Sequence, residues 1–324
     1  GLVQHHRGVA RRADAMKGPQ LQSRSAADWG LFALLTLFWA GAYALTRVAV
    51  DKGNPDMGLP VAWVLPGRLT IGAVVLWIMM LVRGQRLPSF KDRKRWLAIV
   101  GMGLAGSVFP FFLITTAQET VNSSLAALYT AAVPIFVVSG ATFLFADERM
   151  NRGTAIGVLT GFAGVAVLFG PDAMKGLGNA TVVAQLLLIL ATMNYALSSL
   201  MARGAPKIAA IPFATGFVTL AALVSWPLAF TVHPSEVNAD WTHWAAVVGL
   251  GVIPTAIAQA LYMFLIARTS ATFLSLTGYA IPVVSAVLGW VFFRETQSWQ
   301  ALIAFTLILG GVWLARRGGG VKAG

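Results

Sequence analysis

The sequence predicts an all-α integral membrane protein with ten transmembrane helices, arranged as two inverted five-helix repeats. Three observations lead to this prediction: the apolar composition, the number of separate apolar runs, and motifs that recur in the second half of the chain. The 324 residues are 57% hydrophobic and only 11% charged, whereas soluble domains carry about 25% charged residues. A run of about 20 apolar residues is long enough to cross a bilayer.

The composition also excludes several classes of protein. The chain has no cysteine, which excludes disulfides, thiolate metal sites and cysteine nucleophiles. Its net charge of +12 does not indicate nucleic acid, because membrane proteins concentrate Lys and Arg in their cytoplasmic loops. We therefore expect a lipid bilayer as the surroundings and no nucleic-acid partner.

Apolar runs bounded by proline, glycine and charged residues define the predicted helices. The predicted spans are 29–49, 60–82, 96–117, 122–145, 153–170, 180–201, 209–232, 242–266, 271–293 and 298–315. The predicted organisation is a basic, disordered cytoplasmic segment at 1–28, a first repeat at 29–170, a linker at 171–179, a second repeat at 180–316 and a cytoplasmic tail at 317–324.

Charge placement predicts the orientation of these spans. With the N-terminus inside, 19 of the 24 Lys and Arg residues fall on the cytoplasmic side, four fall outside, and Arg68 lies within a span. Basic residues favour cytoplasmic loops. The sequence therefore predicts a multi-pass protein of the bacterial inner membrane with both termini cytoplasmic.

Recurring motifs indicate a duplication. "AYALTR" at 42–47 is echoed by "NYALSS" at 194–199, and "LYTAAVPIFVVSGATFLFADE" parallels "LTGYAIPVVSAVLGWVFFRE" when the two are aligned on Pro134 and Pro282. Each predicted repeat has five helices. Because five is odd, the second copy enters the membrane from the opposite face, the arrangement common in secondary transporters.

Several stretches resemble a known family. The segments "LFWAGAYALTRVAV", "LPGRL" and "VNSSLAALYTAAVPIFV", with the paired P…E…G pattern, resemble the drug/metabolite transporter (DMT) superfamily in its EamA-type branch. More narrowly, the chain is similar to YddG-like aromatic amino-acid exporters. The resemblance implies export of small metabolites through a central cavity between the two repeats, with helices five and ten at the periphery.

Polar-tipped aromatics and one charge are the candidate binding groups. Arg68 is the clear intramembrane charge, and it is either a contact for an anionic substrate group or a structural arginine that binds helix-end carbonyls. Tyrosine and tryptophan either line a cavity or belong to the interfacial belts. The predicted substrate-binding residues are Trp39, Tyr43, Arg68, Tyr129, Asn194, Tyr195, Gln259, Tyr262 and Tyr279.

Prolines inside helices predict sites of bending, and small residues predict close helix packing. Prolines inside helices allow bending, so the predicted hinges are Pro110, Pro134, Pro254 and Pro282; a static kink is equally compatible with the sequence. The small-residue stretches "GVLTGFAGVAV" and "LILGGVWLA" predict close helix contacts. A monomer is the default expectation, with a homodimer through helix five or ten left open.

The placement of titratable groups argues against catalysis. No histidine or carboxylate lies near a predicted helix centre, and Asp147, Glu148 and Glu295 are expected to tie helix ends and loops together. We expect no enzyme activity, cofactor or metal. Since proton relays use intramembrane Asp, Glu or His, the sequence predicts facilitated, gradient-driven transport without tight proton coupling. Together with the resemblance described above, this leads us to expect export of small metabolites, most readily aromatic or neutral amino acids, by alternating access. A proton-coupled exporter of drug-like or other small solutes is the open alternative.

Overall fold

The computed structural model describes residues 25–54, 56–144, 150–173, 176, 178–269, 274 and 276–318. The predicted roles of Asp147 and Glu148 lie outside the described residues. The helices are α1 (Ala26–Val50), α2 (Val61–Val82), α3 (Arg93–Gln118), α4 (Ser123–Leu144), α5 (Arg152–Ala173), α6 (Ala180–Gly204), α7 (Ala210–Ala229), α8 (Trp241–Leu265), α9 (Thr277–Phe293) and α10 (Trp299–Gly318).

The prediction of an all-α membrane protein is confirmed. Within the described part of the chain, nine helices are long and apolar enough to cross a membrane, and α9, at 17 residues, is the shorter apolar helix. Each of the ten predicted spans overlaps one of these helices.

Several helices extend beyond their predicted bounds, and α10 continues to Gly318, inside the predicted tail. The α1 helix begins at Ala26, inside the segment predicted to be disordered, because Ser25 and Asp28 form a reciprocal capping box. The α5 helix continues to Ala173, inside the predicted linker.

Helix contacts repeat with a two-fold pattern. The α1 helix packs on α8 and α9, and α6, its counterpart in the second repeat, packs on α3 and α4; α2 pairs with α7, and α5 pairs with α10. Exchanging each helix of the first repeat for its partner in the second therefore reproduces these main contacts, whereas the contact between α1 and α4 has no counterpart of similar size between α6 and α9 among the described residues. This is the arrangement expected of two inverted repeats.

Three helices are irregular near their prolines. The α3 helix contains a π-helical segment, Leu104–Val108, immediately before Pro110, and α8 contains one, Gly251–Ile257, that includes Pro254. In α4 a turn at 131–132 precedes Pro134, whereas α9 continues without a break through Pro282. A proline lacks the N–H that an α-helix requires. This accounts for the irregular segments in α3, α8 and α4.

Glycines bring α5 and α10 together at backbone distance. A methyl group on Gly311 would lie 2.6 Å from the carbonyl oxygen of Gly157, and one on Gly164 would lie 2.8 Å from the carbonyl oxygen of Ala304. Such contacts leave no room for a side chain. The predicted close packing of the two small-residue stretches is therefore confirmed.

We expect Gly311→Ala to lower the midpoint of thermal unfolding in detergent by roughly 5 °C, because overpacking of this kind costs about 1–3 kcal/mol. Gly310→Ala is the matched control, since a methyl group there meets nothing within 4 Å. Equal midpoints for the two variants would contradict the packing argument.

Candidate transport cavity

A central cavity of about 800 Å³ lies between the two repeats. Its wall is formed by residues of α1–α4 and of α6–α10. Six of the nine predicted binding residues line it: Trp39, Tyr43, Arg68, Tyr195, Gln259 and Tyr262. Pro134 and Pro254 line it as well.

The cavity extends toward one end of the bundle. Its lining includes Thr277 in the first turn of α9 and Arg316 in the last turns of α10. This is the end at which α1 begins and α10 ends. At the opposite end, the connection between α9 and α10 is joined to α1 and α4.

Glu295 makes that junction. Its carboxylate accepts hydrogen bonds from the backbone N–H and hydroxyl of both Ser123 and Ser124, at 2.5–3.2 Å, and lies 3.0 Å from Arg47 Nη1. The serines are the first residues of α4, so Glu295 caps that helix. Burial raises the pKa of Glu295, but the hydrogen bonds from Ser124 and Ser123 outweigh it and hold the pKa below its ordinary value. The predicted role of Glu295 in tying helix ends is confirmed.

Arg68 lies in the wall of the cavity. It is 8% exposed, and Phe111 covers the face of its guanidinium, 3.7 Å from the ring centroid. Its Nε donates to Thr255 Oγ1 at 3.0 Å. No carboxylate among the described residues lies within ion-pair distance of it. Its guanidinium is therefore contacted by neutral groups, the Thr255 hydroxyl and the Phe111 ring.

The π-helical segment of α8 orients the partner of Arg68. Pro254 has no N–H to donate to the carbonyl of Leu250, and the Thr255 hydroxyl donates to that carbonyl at 2.7 Å. Because the hydroxyl has a single proton, its oxygen can only accept from Arg68. The direction of the Arg68 side chain is thus fixed by Thr255.

Tyr43 and Tyr195 line the same cavity as Arg68. The Tyr43 hydroxyl lies 3.0 Å from Thr130 Oγ1, which itself donates to the Ala127 carbonyl. Tyr43 is therefore the donor in the first bond. The repeated Tyr-Ala-Leu motif places one tyrosine from each repeat in the cavity wall.

An aromatic pair forms another part of the wall. The rings of Trp39 and Tyr262 lie 5.5 Å apart at 41°, and both pack against the cluster that contains Phe32 and Leu265. With Phe111 and Phe217, they give the cavity extensive flat apolar surface. Such surface suits a substrate with an apolar or aromatic group.

The charge of the cavity wall is one-sided. Two arginines, Arg68 and Arg316, are among the lining residues, and no aspartate, glutamate or histidine is among those described. The wall is therefore electropositive around Arg68, where it favours anionic groups over cationic ones.

Three predicted binding residues lie away from the cavity. Tyr129 is 1% exposed, and its hydroxyl donates to Gln185 at 2.6 Å within the packing between α4 and α6. Asn194 bonds back to the Leu190 carbonyl of its own helix at 2.9 Å. Tyr279 packs against the cluster around Ile135. The predicted hinges Pro110 and Pro282 also lie outside the lining.

Sequence reasoning missed several lining residues, notably Phe111, Gln118, Thr255 and Arg316. Ser107, Phe111, Ile114 and Gln118 follow i, i+4, i+7, i+11 spacing on α3, a helical face that periodicity could have identified. Thr255 follows the helical Pro254 directly, a position where a hydroxyl is well placed to satisfy a carbonyl.

A ten-helix bundle of two inverted repeats around a central cavity is the architecture of a membrane transporter. The model of the EamA-like transporter family matches residues 29–170 and again residues 182–317. The chain therefore belongs to the EamA-like transporter family, within the drug/metabolite transporter superfamily, and it is a transporter and not an enzyme.

Individual relatives agree with this assignment. The chain is 30% identical over 251 residues to "Aromatic amino acid exporter YddG" of Ancylobacter novellus, covering 76% of this chain and 84% of the relative. It is 28% identical to "Probable terminal-alkyne amino-acid exporter" of Streptantibioticus cattleyicolor, covering 90% and 94%. It is 25% identical to "Uncharacterized transporter YdfC" of Bacillus subtilis, covering 86% and 87%. A solved crystal structure at 26% identity superposes with a TM-score of 0.59, covering 87% of this chain and 98% of that one.

Thr255→Val should weaken the binding of a carboxylate probe, L-phenylalanine, by about five- to tenfold, because valine keeps the shape but removes the hydrogen bond that orients Arg68. Thr255→Ser keeps the hydroxyl and should bind as the original protein does. Titration calorimetry on protein in nanodiscs measures both. Equal weakening in the two variants would contradict an orienting role for the hydroxyl.

Proposed function

We propose that this transporter exports small metabolites, most readily amino acids with neutral or aromatic side chains, from the cytoplasm of a bacterium. It acts in the inner membrane as a monomer with both termini cytoplasmic, by alternating access. Transport is facilitated and driven by the substrate gradient. The observation that carries the proposal is the cavity wall, in which a guanidinium with no carboxylate partner in the described part of the chain lies among aromatic rings.

The buried charge of Arg68 supports the proposal that the substrate carries an anionic group. A buried arginine is costly unless it is paired or serves a ligand. Arg68 uses Nε for Thr255, and no other guanidinium nitrogen hydrogen bonds within the described residues. A carboxylate could therefore take the two terminal nitrogens in a bidentate pair.

The state of the cavity and the names of two relatives support export. The cavity reaches the end of the bundle where α1 begins and α10 ends, which the positive-inside rule makes the cytoplasmic end. Glu295 and Arg47 close the other end. This state is suited to loading a substrate from the cytoplasm, and two relatives are named exporters of amino acids.

The cavity disfavours the alternative of a proton-coupled exporter of drug-like solutes. A cationic amine would face the guanidinium of Arg68, and no carboxylate or histidine among the described lining residues could carry a coupling proton.

Arg68→Gln should reduce efflux of labelled L-phenylalanine from proteoliposomes by at least about tenfold, because it removes a charged hydrogen bond. Efflux by the original protein should persist at equal pH on both sides with the membrane potential collapsed. Arg317→Gln is the control, since Arg317 stacks on Trp313 outside the cavity. Efflux that stops when both gradients are collapsed would contradict the proposed coupling, and unchanged efflux in Arg68→Gln would contradict the proposed contact.

Glu295→Gln should open the external end more often, because a neutral amide weakens both the cap on α4 and the contact to Arg47. The chain has no cysteine, so a single Ala42→Cys change in the cavity wall gives a clean reporter. Labelling by a membrane-impermeant maleimide added outside should rise about tenfold when Glu295→Gln is introduced, if the loss is roughly 1.5 kcal/mol.

The control for this experiment is Glu236→Gln. Glu236 is an exposed carboxylate in the 3-10 turn Pro234–Glu236, between α7 and α8, so its loss should leave labelling unchanged. The same increase in both variants would show that general charge, and not the Glu295 junction, controls external access.

A further inference from the structure

Two hydrogen bonds join α2 to α7 reciprocally. The Trp77 indole Nε1 donates to Thr219 Oγ1 at 2.9 Å, and the Trp226 indole Nε1 donates to Thr70 Oγ1 at 3.0 Å. Both threonines are the tenth residues of their helices, and both tryptophans are the seventeenth. Each repeat therefore gives the other the same donor and the same acceptor.

This reciprocity locates the pseudo-two-fold axis of the bundle. In a two-fold contact, residue i of one copy meets residue j of the other, and j meets i. The threonine and tryptophan of each helix are seven residues apart, so they lie on one face, about 10 Å apart along the helix. Between them, Ala73 and Ala222, each the thirteenth residue of its helix, are buried in one cluster. The axis therefore crosses the α2–α7 contact near these two alanines.

A bond nearer the ends of the two helices is not reciprocal. The Trp63 indole Nε1 donates to the Ala229 carbonyl oxygen at 3.1 Å. The residue of α7 that corresponds to Trp63 is Pro212, which has no side-chain donor. The symmetric part of the contact is therefore its centre, the pair of Trp–Thr bonds.

Symmetry predicts what this pair does during transport. In a transporter built from inverted repeats, exchanging the conformations of the two repeats converts a state open to one side into a state open to the other. The exchange turns the Trp77–Thr219 bond into the Trp226–Thr70 bond and the reverse. Because both bonds are present here at nearly equal length, both are expected in the exchanged state as well.

Contacts away from the axis behave differently. The α1 helix contacts α4, where Tyr43 and Thr130 are hydrogen bonded, but the corresponding helices α6 and α9 share no contact of similar size among the described residues. Tyr195 of α6 and Gly278 of α9 both line the cavity. The same exchange therefore separates α1 from α4 and brings α6 to α9.

We propose that the Trp77–Thr219 and Trp226–Thr70 bonds form the fixed pivot of the transport cycle, and that both stay formed while the α1–α4 contact opens. The inference rests on the proposed alternating access and deepens it, because it assigns the contact between the repeats that does not move. The four side chains are positioning residues, since none of them is among the described lining residues of the cavity. An indole N–H that lost its partner within the bilayer would be left unsatisfied, which favours a bond that persists.

Substitution of each acceptor tests this persistence. In the Ala42→Cys reporter, Thr219→Val and Thr70→Val remove the acceptor and keep the shape, whereas Thr219→Ser and Thr70→Ser keep the acceptor. Labelling by external maleimide should stay within about 1.5-fold of the reporter alone, whereas loss of a bond present in one state only would change it by about threefold or more. The Val variants should unfold at a lower temperature than the Ser variants.

Two results of this experiment would overturn the pivot. Equal unfolding midpoints for the Val and Ser variants would show that the bonds are not made. Labelling that moves in opposite directions in Thr219→Val and Thr70→Val would show that the bonds are gates of the two sides.

Covalent links give a second test, with a readout that a bond of no importance to the motion would not explain. The chain has no cysteine, so Trp77→Cys/Thr219→Cys and Trp226→Cys/Thr70→Cys can each be joined by a short bis-methanethiosulfonate, with the linked fraction measured by mass spectrometry. Efflux of labelled L-phenylalanine from proteoliposomes should stay within about twofold of the reduced protein, because the link spans a contact that does not move.

The matched control is Arg47→Cys/Glu295→Cys, which places the same link across the external junction. It should lower efflux at least about tenfold, with recovery on reduction, because it holds the external end shut. Efflux stopped by a pivot link as well as by the junction link would overturn the pivot and leave alternating access intact. Efflux that continues in fully linked Arg47→Cys/Glu295→Cys would overturn the proposed alternating access itself.

Discussion

The junction at Glu295 joins α1, α4 and the α9–α10 connection at one end of the bundle, where a buried charge and the helix-end amides need partners. Without a partner, its carboxylate and the first amides of α4 would each be costly in an apolar surrounding. Each satisfies the other, and Arg47 neutralises the charge. Gly289 leaves room for the carboxylate, since a methyl group there would collide with it. This one contact therefore links three segments of the chain, α1, α4 and the α9–α10 connection, at the end of the bundle where α1 ends.

Arg68 is also a buried charge, but its partners differ from those of Arg47. Arg47 has a carboxylate partner, so its field is neutralised locally. Arg68 is held by a threonine hydroxyl and an aromatic face, which position the guanidinium but do not neutralise it. Arg47 therefore stabilises the Glu295 junction, whereas the charge of Arg68 is not neutralised and lies in the cavity wall. The sequence leaves open whether Arg68 contacts substrate or is structural, and the absence of a carboxylate partner among the described residues supports the proposed substrate contact.

Sequence predicted the elements well because span length and apolar content are local properties. It placed Trp39, Tyr43 and Arg68 in the cavity wall because each is an unusual residue in an apolar helix. It misplaced Tyr129, whose hydroxyl finds Gln185, since a single helix does not reveal which face meets which neighbour. Thr255 bonds to Arg68, 187 residues away, and Gln118 bonds to the Tyr43 carbonyl, 75 residues away. No local sequence pattern encodes such pairs.

The duplication gives both repeats the same arrangement of helices, whereas sequence divergence gives corresponding positions different side chains. The repeats place π-helical segments at matching points of α3 and α8 and a tyrosine of each repeat in the cavity. Arg68 and Phe217 are each the eighth residue of their helices, α2 and α7, and both line the cavity. The corresponding positions thus present a cation from one repeat and an aromatic ring from the other. A wall that is charged on one side and apolar on the other fits a substrate with a polar head and an apolar side chain, whereas a symmetric pair of either residue would not distinguish its ends.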